Sequence, residues 1–541
     1  MRRLCGESWR SYPERSAAQL ADKRSTGSEV RPRATAEVSR GHSSWREVLD
    51  GEGLNVSRRV GKGNLVKEMW QKTQRRPMRR SEGRDGLHQG EARSAPDKDA
   101  VSDIAETMTE SEQITPAQGP TMEAVVGRAN LFAALKKVQD NNGAPGPDGI
   151  TVAQMPEMLK EQWPTTRAQL LAGTYLPQPV RRVAIPKPDG GQRELGIPSV
   201  MDRLIQQAIL QILQPLWDPT FSPHSYGFRP GRNAHQAVER ARTLVASGLS
   251  HVVDIDIEKF FDRVNHDLLM DRIAKRIEDK RLLRLIRRYL EAGALMPDGV
   301  VAERDEGTPQ GGPLSPLLAN LLLDELDREL SSRGLQFARY ADDCNIYVGS
   351  AKAADRVLES IAGWLKRKLK LTVNSQKSAA AVATTRKFLG FQLRQDPETG
   401  EVVRTIAPKS LARIYDKLRT MTSRNCGRKI ERIVGQIAVY LRGWWGYYRH
   451  TDRYADVRAL LGWLRRRLRQ IHWRQWKNGH RRFQELRRLN PDRDEQWYAA
   501  GATSKHGPWR MSHTPQIDAA LSVSYWRKLG LPDLDRPGWK P

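Results

Sequence analysis

The sequence predicts an α+β fold, and three patterns in it carry that prediction. Between His251 and Asp262, Val253, Ile255 and Ile257 alternate with Asp254, Asp256 and Glu258. That period of two marks a strand with one apolar face and one acidic face. Between Gln336 and Val348, two apolar strand-like runs flank Asp342-Asp343, which reads as a hairpin. From about Ser410 the chain becomes helical, Trp-rich and very basic. With 541 residues there is length for more than one domain around a sizeable core.

The elements follow in order. Residues 1–107 are rich in Arg, Ser, Gly and Glu, contain no Phe and show no sustained periodicity. Such a composition buries little apolar surface, so this segment is expected to be largely disordered. It is either a basic arm for RNA or a stretch upstream of a true start at Met108 or Met122. From Glu123, the apolar residues Val125, Val126, Leu131, Leu135 and Val138 suit one amphipathic helix. Asn141 to Gly149 is a turn-rich loop. Val180 to Ile197 reads as two short strands around Pro188-Asp189-Gly190-Gly191, and Asp202–Leu216 as a helix. Strands and helices then mix up to about Leu393.

The net charge is +27, with a pI near 10.2. Such a field attracts polyanions, nucleic acid first among them. Cys5, Cys344 and Cys426 are far apart, which excludes a disulfide framework and a thiolate zinc site. No apolar run approaches the ~18 residues of a membrane span, and no apolar signal core follows the basic N-terminus. A reducing compartment and no membrane partner are expected.

Acids that line one strand face repel each other unless a cation sits there, and a divalent ion is the economical answer. The same strand could also be an exposed edge bearing charge against aggregation. Adjacent aspartates at a turn could hold a metal, or could be an ordinary solvated turn. Taken together the two segments offer Asp256, Asp342 and Asp343. On neighbouring strands they would converge and could hold two Mg²⁺ ions roughly 3.5–4 Å apart. Such a site suits phosphoryl transfer, which depends on positioning and charge neutralisation. The chain offers no convincing Ser/His/Asp or Cys/His set, in keeping with that chemistry.

Tyr340-Ala341-Asp342-Asp343 is the YADD box of reverse transcriptases, and Asp256 to Asp262 resembles their first catalytic palm block. From about Met122 onward the chain resembles the bacterial group II intron reverse transcriptase/maturase family, in its endonuclease-lacking branch. Further blocks carry the likeness: Asn142 to Gly149, Ile185 to Gly190 with Arg193 to Pro198, Ser225 to Arg232, Gly307 to Pro316, Asn374 to Lys377 and Phe388 to Phe391. Leu441-Arg442-Gly443-Trp444-Trp445-Gly446-Tyr447-Tyr448-Arg449 resembles the signature of the maturase domain, domain X.

The resemblance implies a right-hand polymerase. Fingers would span 108–235, a palm with an antiparallel sheet 236–395, a helical thumb with domain X 396–490, and a basic C-terminal tail 491–541. It implies metal ligation by Asp256, the Ile257 backbone carbonyl, Asp342 and Asp343, with Mg²⁺ as the metal and Mn²⁺ as a substitute. Asp254 and Glu258 would supply supporting charge. Lys187, Arg193, Gln310 and Lys377 would meet the nucleotide, and Phe261 would be a gate that disfavours a ribose 2′-hydroxyl. Physically, Phe261 could also be plain core.

Residues 461–489 hold ten Lys/Arg against one acid, interleaved with aromatics. Arg442, Arg449, Arg465, Arg466, Arg467, Arg474 and Lys477 are the expected RNA contacts, with the tryptophans mostly inside the helices. Expected partners are group II intron RNA, an RNA template with a DNA primer, dNTPs and target DNA. The expected location is the bacterial cytoplasm, at the nucleoid when the protein acts on DNA. No cysteine follows Cys426, so no H-N-H endonuclease with paired cysteines is expected. The competing readings are a free-standing reverse transcriptase and an RNA-binding splicing factor without polymerase activity.

Overall fold

The computed structural model describes residues 119–186, 190–423 and 427–534. The segment expected to be disordered, 1–107, and the nucleotide contact expected at Lys187 lie outside these residues. The stretch read as one helix from Glu123 is two. Met122–Val125 is capped by the Thr121 hydroxyl, and Arg128–Asn141 begins after Gly127 and ends at Asn142 in a left-handed conformation. The helix Val200–Trp217 starts where Ser199 accepts a hydrogen bond from the Asp202 amide. It buries Leu204, Ile205, Ala208 and Ile209.

Three sheets follow. Strands β1 (Val180–Pro186) and β2 (Gln192–Ile197) form the predicted antiparallel hairpin. β1 also runs parallel to the short strand β4 (Ala294–Leu295), which pairs with β5 (Val301–Ala302). The central sheet contains β3 (His251–Ile255), β6 (Gln336–Tyr340), β7 (Asp343–Val348) and β8 (Ala379–Val382), in the order β6-β7-β3-β8. All its pairings are antiparallel. A third sheet joins β9 (Lys387–Phe388), β10 (Phe391–Gln395) and β11 (Val402–Ile406).

The period of two in β3 has its structural counterpart in packing. Val253, Ile255 and Ile257 enter the main core with the helices His266–Ala274, Lys280–Glu291 and Ser315–Ser332. Val252 lies on the opposite face and is also buried, against Tyr226, Ala237 and Tyr347. Only the C-terminal part of that face carries acids.

The helical end contains Pro408–Met421, Ile430–Tyr448, Ala455–Gln475 and Gly479–Leu489 around their own core. Trp445, Trp473 and Trp476 are buried in it, each a large apolar contribution to folding. The tail expected over 491–541 is folded over its described part. Tyr498, Met511, Ile517, Leu521 and Trp526 pack into the same core. Nor is that segment basic: it holds seven Lys/Arg against six Asp/Glu. The short apolar helices there lacked the length for sequence periodicity to register. Among the described residues, no helix is long and apolar enough to cross a membrane.

Candidate active site

The site is built by register. β3 pairs with β7 so that Asp254 faces Asn345 and Ile255 faces Cys344. Asp256 and Asp343 are the next residues along the same antiparallel register. Alternation puts Asp254, Asp256 and Asp343 on one face. β6 and β7 pair through Tyr340 and Asp343, so Ala341 and Asp342 alone form the turn. Ala341 has φ +58°, uncommon for a residue with a Cβ. The turn is backed by Gly227, where a Cβ would collide with the Ala341 nitrogen.

The backbone of Asp256 is held on its other side. Its amide donates to Ser378 Oγ at 2.9 Å, and its carbonyl accepts from the Asn374 amide at 2.8 Å. The Glu258 amide donates to the Thr372 carbonyl at 2.9 Å. These two backbone bonds flank the bridge between Ile257 and Val373. In such a pair the amide and carbonyl of the central residue point away from the partner, so the Ile257 carbonyl is directed to the β7 side. Lys377 Nζ lies 3.5 Å from Asp256 Oδ2.

Asp254 is ion-paired to Arg386, with Nη2 2.6 Å from Oδ2. Burial pushes its carboxyl above the usual range, Arg386 opposes the shift, and Asp343 and Asp256 add to it. The acids therefore sense one another across the sheet face. Among the described residues, no three His, Cys, Asp or Glu side chains form a preassembled metal cage. Magnesium does not need one: it keeps several waters and is held by one or two carboxylates together with substrate phosphates. Hard carboxylate oxygens on one sheet face fit that donor set.

The residues expected to meet the nucleotide fall into two groups. Phe261 and Gln310 line one cavity of about 310 Å³, together with Leu195 and Gly196 of β2. The Phe261 carbonyl accepts from the Thr308 amide at 2.6 Å, and the Gln310 carbonyl from the Gly196 amide at 3.0 Å. A Cβ at Gly307, which has φ +91°, would press on the Phe261 carbonyl. The glycine-punctuated loop thus ties Phe261 to the β1–β2 hairpin. Arg193 is exposed on β2, outside the cavity lining, and Lys377 sits on Asp256 instead.

Sequence reading missed several site residues. Arg386 and Ser378 meet the acids from more than a hundred positions away, and no local pattern marks them. Arg304 lines the same cavity as Phe261 and Gln310, with a buried Nη1 that has no hydrogen-bond partner.

The basic residues of the helical end divide in the same way. Arg442, Arg449, Arg474 and Lys477 are exposed. Arg465 is half-buried. Arg466 stacks on Trp509, 4.0 Å from the ring centroid. Arg467 donates to Thr422 Oγ1 at 2.7 Å and to the Thr422 carbonyl at 2.9 Å.

Two known families match stretches of this chain. The reverse transcriptase (RNA-dependent DNA polymerase) family matches residues 185–393, and the group II intron maturase-specific domain matches residues 411–489. The chain is 35% identical over 329 residues to protein YkfC of Escherichia coli (strain K12), covering 53% of this chain and 86% of that protein. It is 37% identical over 209 residues to the group II intron-encoded protein LtrA of Lactococcus lactis subsp. cremoris, covering 38% of this chain and 34% of LtrA. The match to LtrA thus spans about a third of that protein's length. A putative COX1/OXI3 intron 1 protein of Saccharomyces cerevisiae is 24% identical over 378 residues, 59% of this chain and 44% of that protein. The chain belongs to the group II intron reverse transcriptase/maturase family. It carries an RNA-directed DNA polymerase domain of α+β fold followed by a maturase domain.

Proposed function

We propose that this protein reverse transcribes a group II intron RNA and binds that RNA to assist its splicing and mobility. The observation that supports it is the β3–β7 register: it pairs Ile255 with Cys344, so that Asp256 and Asp343 are the next residues on the two strands, and Asp342 lies in the turn that follows β6. Asp256, Asp342, Asp343 and the Ile257 carbonyl would hold two divalent ions, Mg²⁺ by preference with Mn²⁺ as a substitute. Bound there, the metal supplies activation of the primer 3′-hydroxyl and neutralisation of the leaving pyrophosphate.

The chain's own residues do the rest. Phe261 closes the floor of the nucleotide cavity against a 2′-hydroxyl, and Gln310 packs beside it. Arg193, Lys187 and Lys377 pair with the triphosphate, so Lys377 exchanges its contact with Asp256 for one with substrate. Arg442, Arg449, Arg474 and Lys477 reach intron RNA phosphates, and Arg465 lies at the edge of that surface. Arg466 and Arg467 shape it from within. An RNA template with a DNA primer, dNTPs and target DNA are the substrates, met at the nucleoid. Fingers over 108–235, palm over 236–395 and thumb with domain X over 396–490 describe the division of labour.

The test is primer extension on an RNA template with Mg²⁺, comparing dNTPs with NTPs. Extension with dNTPs and little with NTPs is the expected result. A preference for NTPs would remove Phe261 from its role as gate.

A further inference from the structure

One fully buried ion pair lies directly beneath the catalytic hairpin. Arg339 of β6 and Asp327 of the helix Ser315–Ser332 are both wholly shielded from solvent. The guanidinium is bidentate on the carboxylate, Nε at 2.7 Å from Oδ1 and Nη2 at 2.5 Å from Oδ2. Its remaining nitrogen, Nη1, donates to Asn320 Oδ1 at 3.0 Å and to the carbonyl of Ala341 at 3.0 Å. Asn320 in turn donates to the carbonyl of Gly227 at 2.9 Å. The backbone of Arg339 is engaged too, its amide on the His224 carbonyl and its carbonyl on the Tyr226 amide, each at 2.9 Å.

A pair that served only to join helix to sheet would need the two carboxylate contacts. Here the planar fork carries a further nitrogen past the carboxylate to the one residue of the turn that is in the left-handed conformation. A lysine could meet Asp327 as a point charge but could not reach all three acceptors at once. The glycine that backs the turn is fixed by the same network through Asn320.

We propose that Arg339 is a positioning residue for nucleotidyl transfer: by gripping the Ala341 carbonyl it sets the turn that presents Asp342 and Asp343. The proposal rests on the function proposed above. A misplacement of about 1 Å at a reacting group costs on the order of 10²-fold in rate, so loss of this grip is felt in kcat more than in KM.

The test uses the full chain and two variants. In Arg339→Met with Asp327→Leu, apolar residues of similar volume replace the buried pair, an exchange that often leaves stability unchanged. Arg339→Lys keeps the charge. Each is measured for Tm, KM for dNTP, kcat on RNA template with primer, and hydrogen exchange of the segment 340–343. Expected are a Tm near that of the unaltered protein, an unchanged KM, a kcat lower by roughly 10²-fold and faster exchange in the segment. A folded variant whose kcat and hairpin exchange equal those of the unaltered protein overturns the proposal. Should the double variant not fold, Arg339→Lys decides on the same readouts. Should the unaltered protein extend no primer, the function reading falls, while the exchange comparison still decides whether Arg339 holds the turn.

Discussion

On the central sheet, acids gather: Asp254, Asp256 and Asp343 share a face, with Arg386 and Lys377 set against them. In the helical end, basic groups disperse. Some point to solvent, while others are bound inside the protein. Arg469 donates to the Ser512 carbonyl at 3.1 Å and pairs with Asp518, and Arg482 lies 3.5 Å over the ring of Trp473. Like charges placed together by a sheet register need a counter-charge brought to that one face. Like charges spread over a helical bundle can be settled one at a time by aromatics and carbonyls. A dense run of charge in a sequence is therefore not yet a binding surface, whereas acids converging from two strands are a much sharper sign of a site.

The contrast breaks most visibly at the acids. Asp256→Asn or Asp343→Asn should lower incorporation by roughly 10³-fold or more, since several kcal/mol of charge stabilisation depend on them. Binding of RNA, measured by filter retention, should be unchanged. In the helical end the matching substitution is in the core. Trp473→Ala should cost about 3–5 kcal/mol of stability by denaturant unfolding, because it leaves a large cavity and strips Arg482 of its stacking partner.

How much of this was legible beforehand differs between the two regions for a physical reason. Period two and the hairpin pattern placed Asp256, Asp342 and Asp343 because backbone alternation is local. The left-handed Ala341 and the Arg339 grip were not legible, since tertiary contacts to Asp327, Asn320 and Gly227 impose them. Arg442 and Arg466 look alike in sequence. What separates them is Trp509, 43 positions after Arg466 and folded back onto it. The helix expected from Glu123 broke at Gly127, where the backbone is extended.

Phe261→Ala should raise use of NTPs relative to dNTPs by about 10–200-fold, the discrimination worth of a single steric contact in a pocket. Competition between the two nucleotide classes in primer extension measures it. A ratio that does not move would make Phe261 a core residue only. Arg442→Ala with Arg449→Ala should leave stability within about 0.5 kcal/mol. The pair should also reduce the salt dependence of RNA binding by roughly 0.7 in slope for each RNA phosphate that is no longer neutralised. Arg466→Ala should do the reverse, lowering stability with little change in slope.

The smallest effect concerns pH. Burial works against ionisation of Asp452, but hydrogen bonds from Arg404 outweigh it and hold the carboxyl below the usual range. A depressed folded value means its stabilisation is present above the ordinary carboxylate pKa and is lost as pH falls through the folded one. Asp452→Asn should flatten the acid limb of Tm against pH by an amount worth under about 1 kcal/mol.

Single-nucleotide incorporation on an RNA template, with Asp342→Ala compared against the unaltered full chain in Mg²⁺, decides whether the hairpin carboxylate is needed for nucleotidyl transfer. Normal binding of template and primer, with incorporation reduced to background, is the expected result. Incorporation by Asp342→Ala at the rate of the unaltered chain would contradict it.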